Sequence, residues 1–202
     1  MLTRRAFVAQ LSAALVAFEG SRLLGPWAGR VSAAAPPPLV DSFSALVAFV
    51  VPGSDSYSVA QGVSTPEPGG VDAGIIDHLI ESFDLASPTP PPFPSTSAFV
   101  AYVLDQFAFA VSGGQSGFAG LSYGDKMTVF FLMEQDPQAA PLAQAVITLA
   151  AFASYSEAGV FDPATRTLTG TPVGWELTGY PGVSDGRDEF VGYYRGRRTA
   201  KR

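Results

Sequence analysis

Apolar residues recur at spacings of three and four along much of this chain, and five stretches hold that pattern long enough to predict helices. The first is opened by Asp41 and Ser42 as capping residues and runs through Phe43, Leu46, Val47 and Val50, until Pro52 and Gly53 stop it. The second spans about Val71 to Phe83. Ile75, Ile76, Leu79 and Phe83 face inward on it, and Asp72, Asp77, Glu81 and Asp84 face largely outward. The third, Ala98 to Val111, follows Ser95-Thr96-Ser97 and is apolar nearly all round, with Phe99, Val100, Tyr102, Val103, Leu104, Phe107 and Phe109; such a helix belongs in the middle of a core. Ser122 with Asp125 three residues on resembles a capping box and opens a fourth helix, Lys126 to Glu134. After Asp136-Pro137 comes a fifth, Leu142 to about Ser156, whose alanines (Ala143, Ala145, Ala150, Ala151, Ala153) permit close approach of a neighbour.

The connections read differently. Gly53 to Gly70 is rich in turn formers and has no sustained period, which predicts a long loop of the kind that often carries function. Ser87 to Pro94 is extended, since each proline removes a backbone donor and disfavours helix in the residue before it. Gly113 to Gly120 reads as a flexible connection. Beyond Gly159 the helical period is lost: Phe161-Asp162-Pro163 is a turn, and Thr165 to Thr171 forms a short hairpin or an extended arm. Val173 to Gly182 then packs two large aromatics among glycines and a proline. Gly and Pro break helices, yet Trp175, Leu177 and Tyr180 carry more apolar surface than a free loop exposes, so an ordered loop folded back on something is predicted. The expected architecture is all-α, a single helical bundle of about five helices with long loops and an irregular C-terminal extension.

The amino end changes the picture, because it is laid out for export. Arg4 and Arg5 stand directly before Phe7 and an apolar run to Phe18, and small residues at Ser32-Ala33-Ala34-Ala35 precede Pro36-Pro37-Pro38. This is the arrangement of a twin-arginine signal, the address for export of already folded protein, with Arg4, Arg5 and Phe7 as its recognition residues. The apolar run is short of the ~20 residues that span a bilayer, so no stable membrane span is expected. The chain divides into a signal peptide over 1–34, a Pro-rich linker over 35–40, a helical domain with its irregular arm over 41–192 and a basic tail over 193–202. Cleavage after Ala33 or Ala34 removes four arginines and one glutamate, which takes the formal charge from -6 to -9. The product is secreted or held in the cell envelope.

Charge then narrows the partners. Between Val31 and Thr165 the only Lys or Arg is Lys126, whereas Arg195, Arg197, Arg198, Lys201 and Arg202 crowd the carboxyl end. An acidic body cannot present the basic face that phosphates require, which argues against nucleic acid. There is no cysteine, so disulfides, thiolate nucleophiles and thiolate metal sites are excluded, and His78 is the single imidazole. On a helix His78 has Glu81 and Ser82 beside it, and with Glu81 or Asp77 it is the one candidate for a small hydrolase or metal-dependent enzyme. The acids Asp72, Asp77, Glu81 and Asp84 lack the spacing of a calcium loop. No Gly-x-Ser-x-Gly elbow surrounds any serine of Ser54 to Ser58, and Gly113-Gly114-Gln115-Ser116-Gly117 matches neither a phosphate loop nor a dinucleotide fingerprint. No catalytic, cofactor-binding or metal-binding residue is therefore assigned.

Taken in order, the twin-arginine signal, the helix ending Phe49-Val50-Val51-Pro52-Gly53-Ser54-Asp55, the acidic helix, Ala158-Gly159-Val160-Phe161 and finally Gly174-Trp175-Glu176-Leu177-Thr178-Gly179-Tyr180-Pro181-Gly182 resemble the gluconate 2-dehydrogenase subunit 3 family. The likeness is greater to its actinobacterial branch of small secreted proteins, and the chain departs from it in the insertion at Ser87 to Pro94 and in the basic tail. The resemblance implies a noncatalytic small subunit that associates with a large flavoprotein of the glucose-methanol-choline type and assists its maturation, stability or co-export through the twin-arginine translocase. It implies no cofactor in this chain and FAD in the partner. Trp175, Leu177, Tyr180 and Pro181, with Tyr57, are then the candidate partner-contact residues; Trp175 and Tyr180 serve equally well as a lid on the bundle. A free-standing cell-surface binding module is a further alternative.

Overall fold

The computed structural model describes residues 38–180 apart from 87–88 and 90–91. The signal, residues 35–37 of the linker, Pro181 and the basic tail lie outside the described residues. Five long helices form the body: α1 Leu39–Val50, α3 Ile76–Ala86, α4 Thr96–Ser112, α5 Tyr123–Gln135 and α6 Ala140–Tyr155. Two short ones accompany them, α2 Ser56–Ala60 and α7 Val173–Thr178. The one sheet among the described residues is a two-residue antiparallel hairpin that pairs Phe161 with Leu168 and Asp162 with Thr167. The fold is all-α, as the apolar period predicts.

The middle of the core is α1 rather than α4. Ser42 to Ala48 are buried without a break, and α1 packs on α3, α4, α6 and the turn Phe118–Gly120. Small side chains explain it: Ser42, Ser44, Ala45 and Ala48 let neighbours close on every side, while Phe43, Leu46 and Val47 fill the space between. Phe43 meets Phe83 of α3 edge to face at 5.6 Å, and Phe49 stacks on Phe130 of α5 at 5.3 Å. On α4, by contrast, Phe109 reaches the surface. The predicted capping by Asp41 and Ser42 also fails, because the helix begins earlier. Pro38 stands at its N-cap, and its carbonyl accepts from the amide of Ser42 at 3.1 Å.

Several expected loops are ordered. Within the predicted loop Gly53 to Gly70, Asp55 caps α2 by accepting from the amides of Tyr57 and Ser58. The predicted helix Val71 to Phe83 begins only at Ile76, because Gly70 to Gly74 form a turn in which Asp72 accepts from the amide of Gly69 at 2.7 Å. Asp84 faces outward as expected, and it also accepts from the amide of Ser97 at 2.7 Å and so ties the end of α3 to the start of α4. The Gly113 to Gly120 connection is pinned as well: Asp105 accepts from the amide of Phe118 at 2.8 Å, and Phe118 is wholly buried. Phe93, at the end of the proline-rich stretch, packs back on Phe99 and Tyr102 at 5.0 and 5.1 Å. Ser122 accepts from the amide of Asp125 and donates to its carboxylate, so the predicted cap of α5 is in place.

Candidate functional site

Two sequence motifs carried the expectation of function, and each is built into a defined structure. The first is the C-terminal arm. A tight turn, Ala158–Val160, leads into the hairpin, and the arm ends in α7 where a loop was predicted. Gly174, read from the sequence as a breaker, is buried in that helix: a Cβ there would lie 2.5 Å from the carbonyl oxygen of Tyr155 and 2.7 Å from its Cα. Glycine is therefore required for contact between α7 and the end of α6. At the far end Gly179 takes the left-handed conformation (φ 64°), and the amide of Tyr180 donates to the carbonyl of Trp175 at 2.8 Å, a Schellman-type closure. That closure turns Tyr180 back over Trp175, and the rings meet edge to face at 5.1 Å. Tyr180 is 48% exposed, and Trp175 and Leu177 are half-buried. The arm thus ends in a short helical hook that presents an aromatic pair.

The second motif is Pro52-Gly53-Ser54-Asp55. Gly53 lies against Gly69, and a Cβ on either would fall within 2.5 Å of the other's amide nitrogen. Asp55 accepts from the hydroxyl of Ser58 at 2.6 Å, and that same oxygen accepts from the amide of Gly53 at 3.0 Å. Ser58 is wholly buried with its hydroxyl engaged on both sides, which leaves it no access to a substrate. Tyr57 donates to Asp41 of α1 at 2.5 Å, and this bond, with burial, raises its phenol above the ordinary tyrosine range. Tyr57 belongs to the α1–α2 junction. Trp175 lies on α7 and Tyr180 just beyond it, where α7 packs on α6.

Beneath that motif lies a residue that sequence reasoning missed. Lys126 is completely buried. Its Nζ donates to Oε1 of Gln61 at 2.9 Å, lies 3.4 Å from the carbonyl oxygen of Ala45 and stands 5.4 Å from the centre of the Phe118 ring. Gln61 in turn donates to the carbonyl of Ala48 at 2.8 Å. Desolvation pulls the amine down to about 8, with partial relief from the negative charge of Asp55. The signal was present in the spacing: Lys126 precedes Val129, Phe130 and Met133 by three, four and seven residues, which is the buried face of α5. The arrangement clamps α5 to α1 and to the segment after α2. It offers no path for a substrate.

His78 is exposed on α3, and the hydroxyl of Ser82 donates to its carbonyl oxygen at 2.6 Å and not to the imidazole. Among the described residues no three His, Asp or Glu side chains converge to hold a metal. Arg4, Arg5, Phe7 and Pro181 lie outside the described residues. Comparison with family models, with characterised proteins and with solved structures gives no match.

Proposed function

We propose that this chain is a noncatalytic accessory subunit of an exported flavin-dependent oxidoreductase, with the aromatic hook of the arm as a contact to the large subunit. The observation that carries the reading is the hook itself. A glycine-specified junction and a Schellman-type closure hold Trp175 and Tyr180 in fixed relation at the surface, the form taken by aromatic anchors in protein interfaces. Charge is consistent with this. Residues 38–180 contain fourteen acidic and two basic side chains, and one of the two, Lys126, is interior. The resemblance of the two motif regions to a family of small dehydrogenase subunits supplies the class of partner. Export by the twin-arginine route fits such a partner, because a flavoprotein must fold around FAD before it leaves the cytoplasm, and a large subunit without its own signal would travel with this one.

Two measurements test the reading. The tagged chain, purified from its native host, is expected to bring down a protein with flavin absorbance; recovery of the chain alone sinks the proposal. The double variant Trp175→Ala, Tyr180→Ala is expected to keep its helical circular dichroism and to bind that partner with about thirtyfold lower affinity, the loss of about 2 kcal/mol typical of anchor residues. If instead the variant unfolds, the pair is a lid on α6 and not a contact.

A further inference from the structure

The outward face of α5 carries a second apolar surface, remote in sequence from the arm. Lys126, Val129, Phe130 and Met133 point into the body, and the opposite side presents Met127, 55% exposed, Phe131, 60% exposed, and Leu132, 37% exposed. Met127 and Phe131 are four residues apart and so lie one above the other along the helix. Thr128 sits on the same side, and its hydroxyl bonds back to the carbonyl of Gly124 at 3.1 Å. The edges are acidic. Glu134 follows Phe131 by three residues and Met127 by seven, which sets it along one margin; Asp125 precedes Thr128 by three and Leu132 by seven, which sets it along the other. Both are exposed. Helices on a folded surface ordinarily turn polar side chains outward, and two large apolar side chains at one helical column, each more than half exposed, reverse that pattern.

We infer that this face of α5 docks a cationic amphipathic segment of a partner protein, whose apolar side covers Met127, Phe131 and Leu132 and whose lysines or arginines meet Asp125 and Glu134. Charge selects this occupant. Among residues 38–180 the only exposed cation is Arg166, in the hairpin turn, against fourteen acids. A second copy would bring the same acidic surface to the contact, and two bodies of net charge -12 repel at ordinary ionic strength. An anionic lipid surface is disfavoured for the same reason. A basic segment gains both from apolar burial and from the field of the whole body. The inference does not depend on whether the partner of the arm is a flavoprotein.

The probe is a synthetic helix of about four turns with leucine on one side and lysine on the other, titrated onto the full chain, with a glutamate-for-lysine analogue as its counterpart. The lysine helix is expected to bind at least tenfold more tightly than the glutamate helix. Phe131→Ser and Met127→Ser are each expected to weaken it by tenfold or more with unchanged circular dichroism and melting temperature, since neither side chain supports the core. Asp77→Asn with Glu81→Gln, on α3, is expected to change the affinity less than threefold. Equal binding by wild type and Phe131→Ser would overturn the inference, because bulk charge alone would then account for it. Concentration-dependent dimerisation abolished by Phe131→Ser would also overturn it, by showing that a second copy covers the face. Binding that appears only after removal of residues 190–202 would do so by naming the chain's own basic tail as the occupant.

Discussion

Raising the pH from 8 to above 10 is expected to stabilise the folded chain by about 3 kcal/mol, with Lys126 as the cause. Its amine titrates near 8 in the folded state and near 10.5 when unfolded. Below pH 8 both states are protonated, and the folded state bears the full cost of a charge held against Gln61, Ala45 and Phe118 with no carboxylate bonded to it. Between the two values the unfolded chain binds more protons than the folded one, so stability rises with pH; above about 10.5 neither is charged and the rise ends. Tyr57 acts in the opposite sense. Its phenol is raised in the folded state, so the stability it contributes is complete below pH 10 and is lost as the pH climbs through its folded value. Urea midpoints measured from pH 8 to 10 fall inside the window where the lysine dominates. A flat or falling profile there would refute the assignment, and Lys126→Met, which keeps the length of the stem and removes the charge, is expected to abolish the slope.

Gly159→Ala is expected to cost about 3 kcal/mol and to lower the melting temperature by about 10 °C. The turn Ala158–Val160 is pressed against the turn before α3, and a Cβ on Gly159 would stand 1.8 Å from the carbonyl oxygen of Ala73 and 3.3 Å from Cγ2 of Ile75. The oxygen belongs to the backbone of Ala73, which is buried, so it cannot step aside as the tip of a flexible residue would. Gly170→Ala is the control. Its Cβ would meet only Cγ1 of Val160, at an ordinary 3.7 Å, and the change is expected to stay within about 0.5 kcal/mol. If the two variants melt together, the contact between the turns is not what holds the arm to the body.

The long helices were legible in the sequence because each must bury a face, and burial leaves a period that short-range competition does not erase. The exact starts were less so. Asp41 and Ser42 have capping chemistry, but the chain enters α1 at Pro38, and Asp41 is occupied by Tyr57 sixteen residues on. The two short helices were read as loops for one shared reason: their residues are turn formers by type, and tertiary contact recruits them to another purpose. Ser56 and Ser58 follow an aspartate that caps them, while Gly174 is small because Tyr155 lies against it. A contact of that kind is long-range and has no local signature. The candidate contact residues fall in two places, Trp175, Leu177 and Tyr180 on one hook and Tyr57 at the α1–α2 junction, since sequence order does not tell which distant aromatics the fold brings together. Lys126 was legible in principle, from the residues three, four and seven beyond it, and was passed over because lysine is the residue type least expected inside.

The inward turn of Lys126 leaves the described body almost untouched by chemistry directed at amines. Acylating cross-linkers have no other lysine between residues 38 and 180, and trypsin finds just one accessible bond there, after Arg166 at the tip of the hairpin. A cut at that point would sever the aromatic hook from the bundle while leaving the five long helices whole. Cleavage after Lys126 must wait until the core has opened, so its rate reports the opening of the helical body.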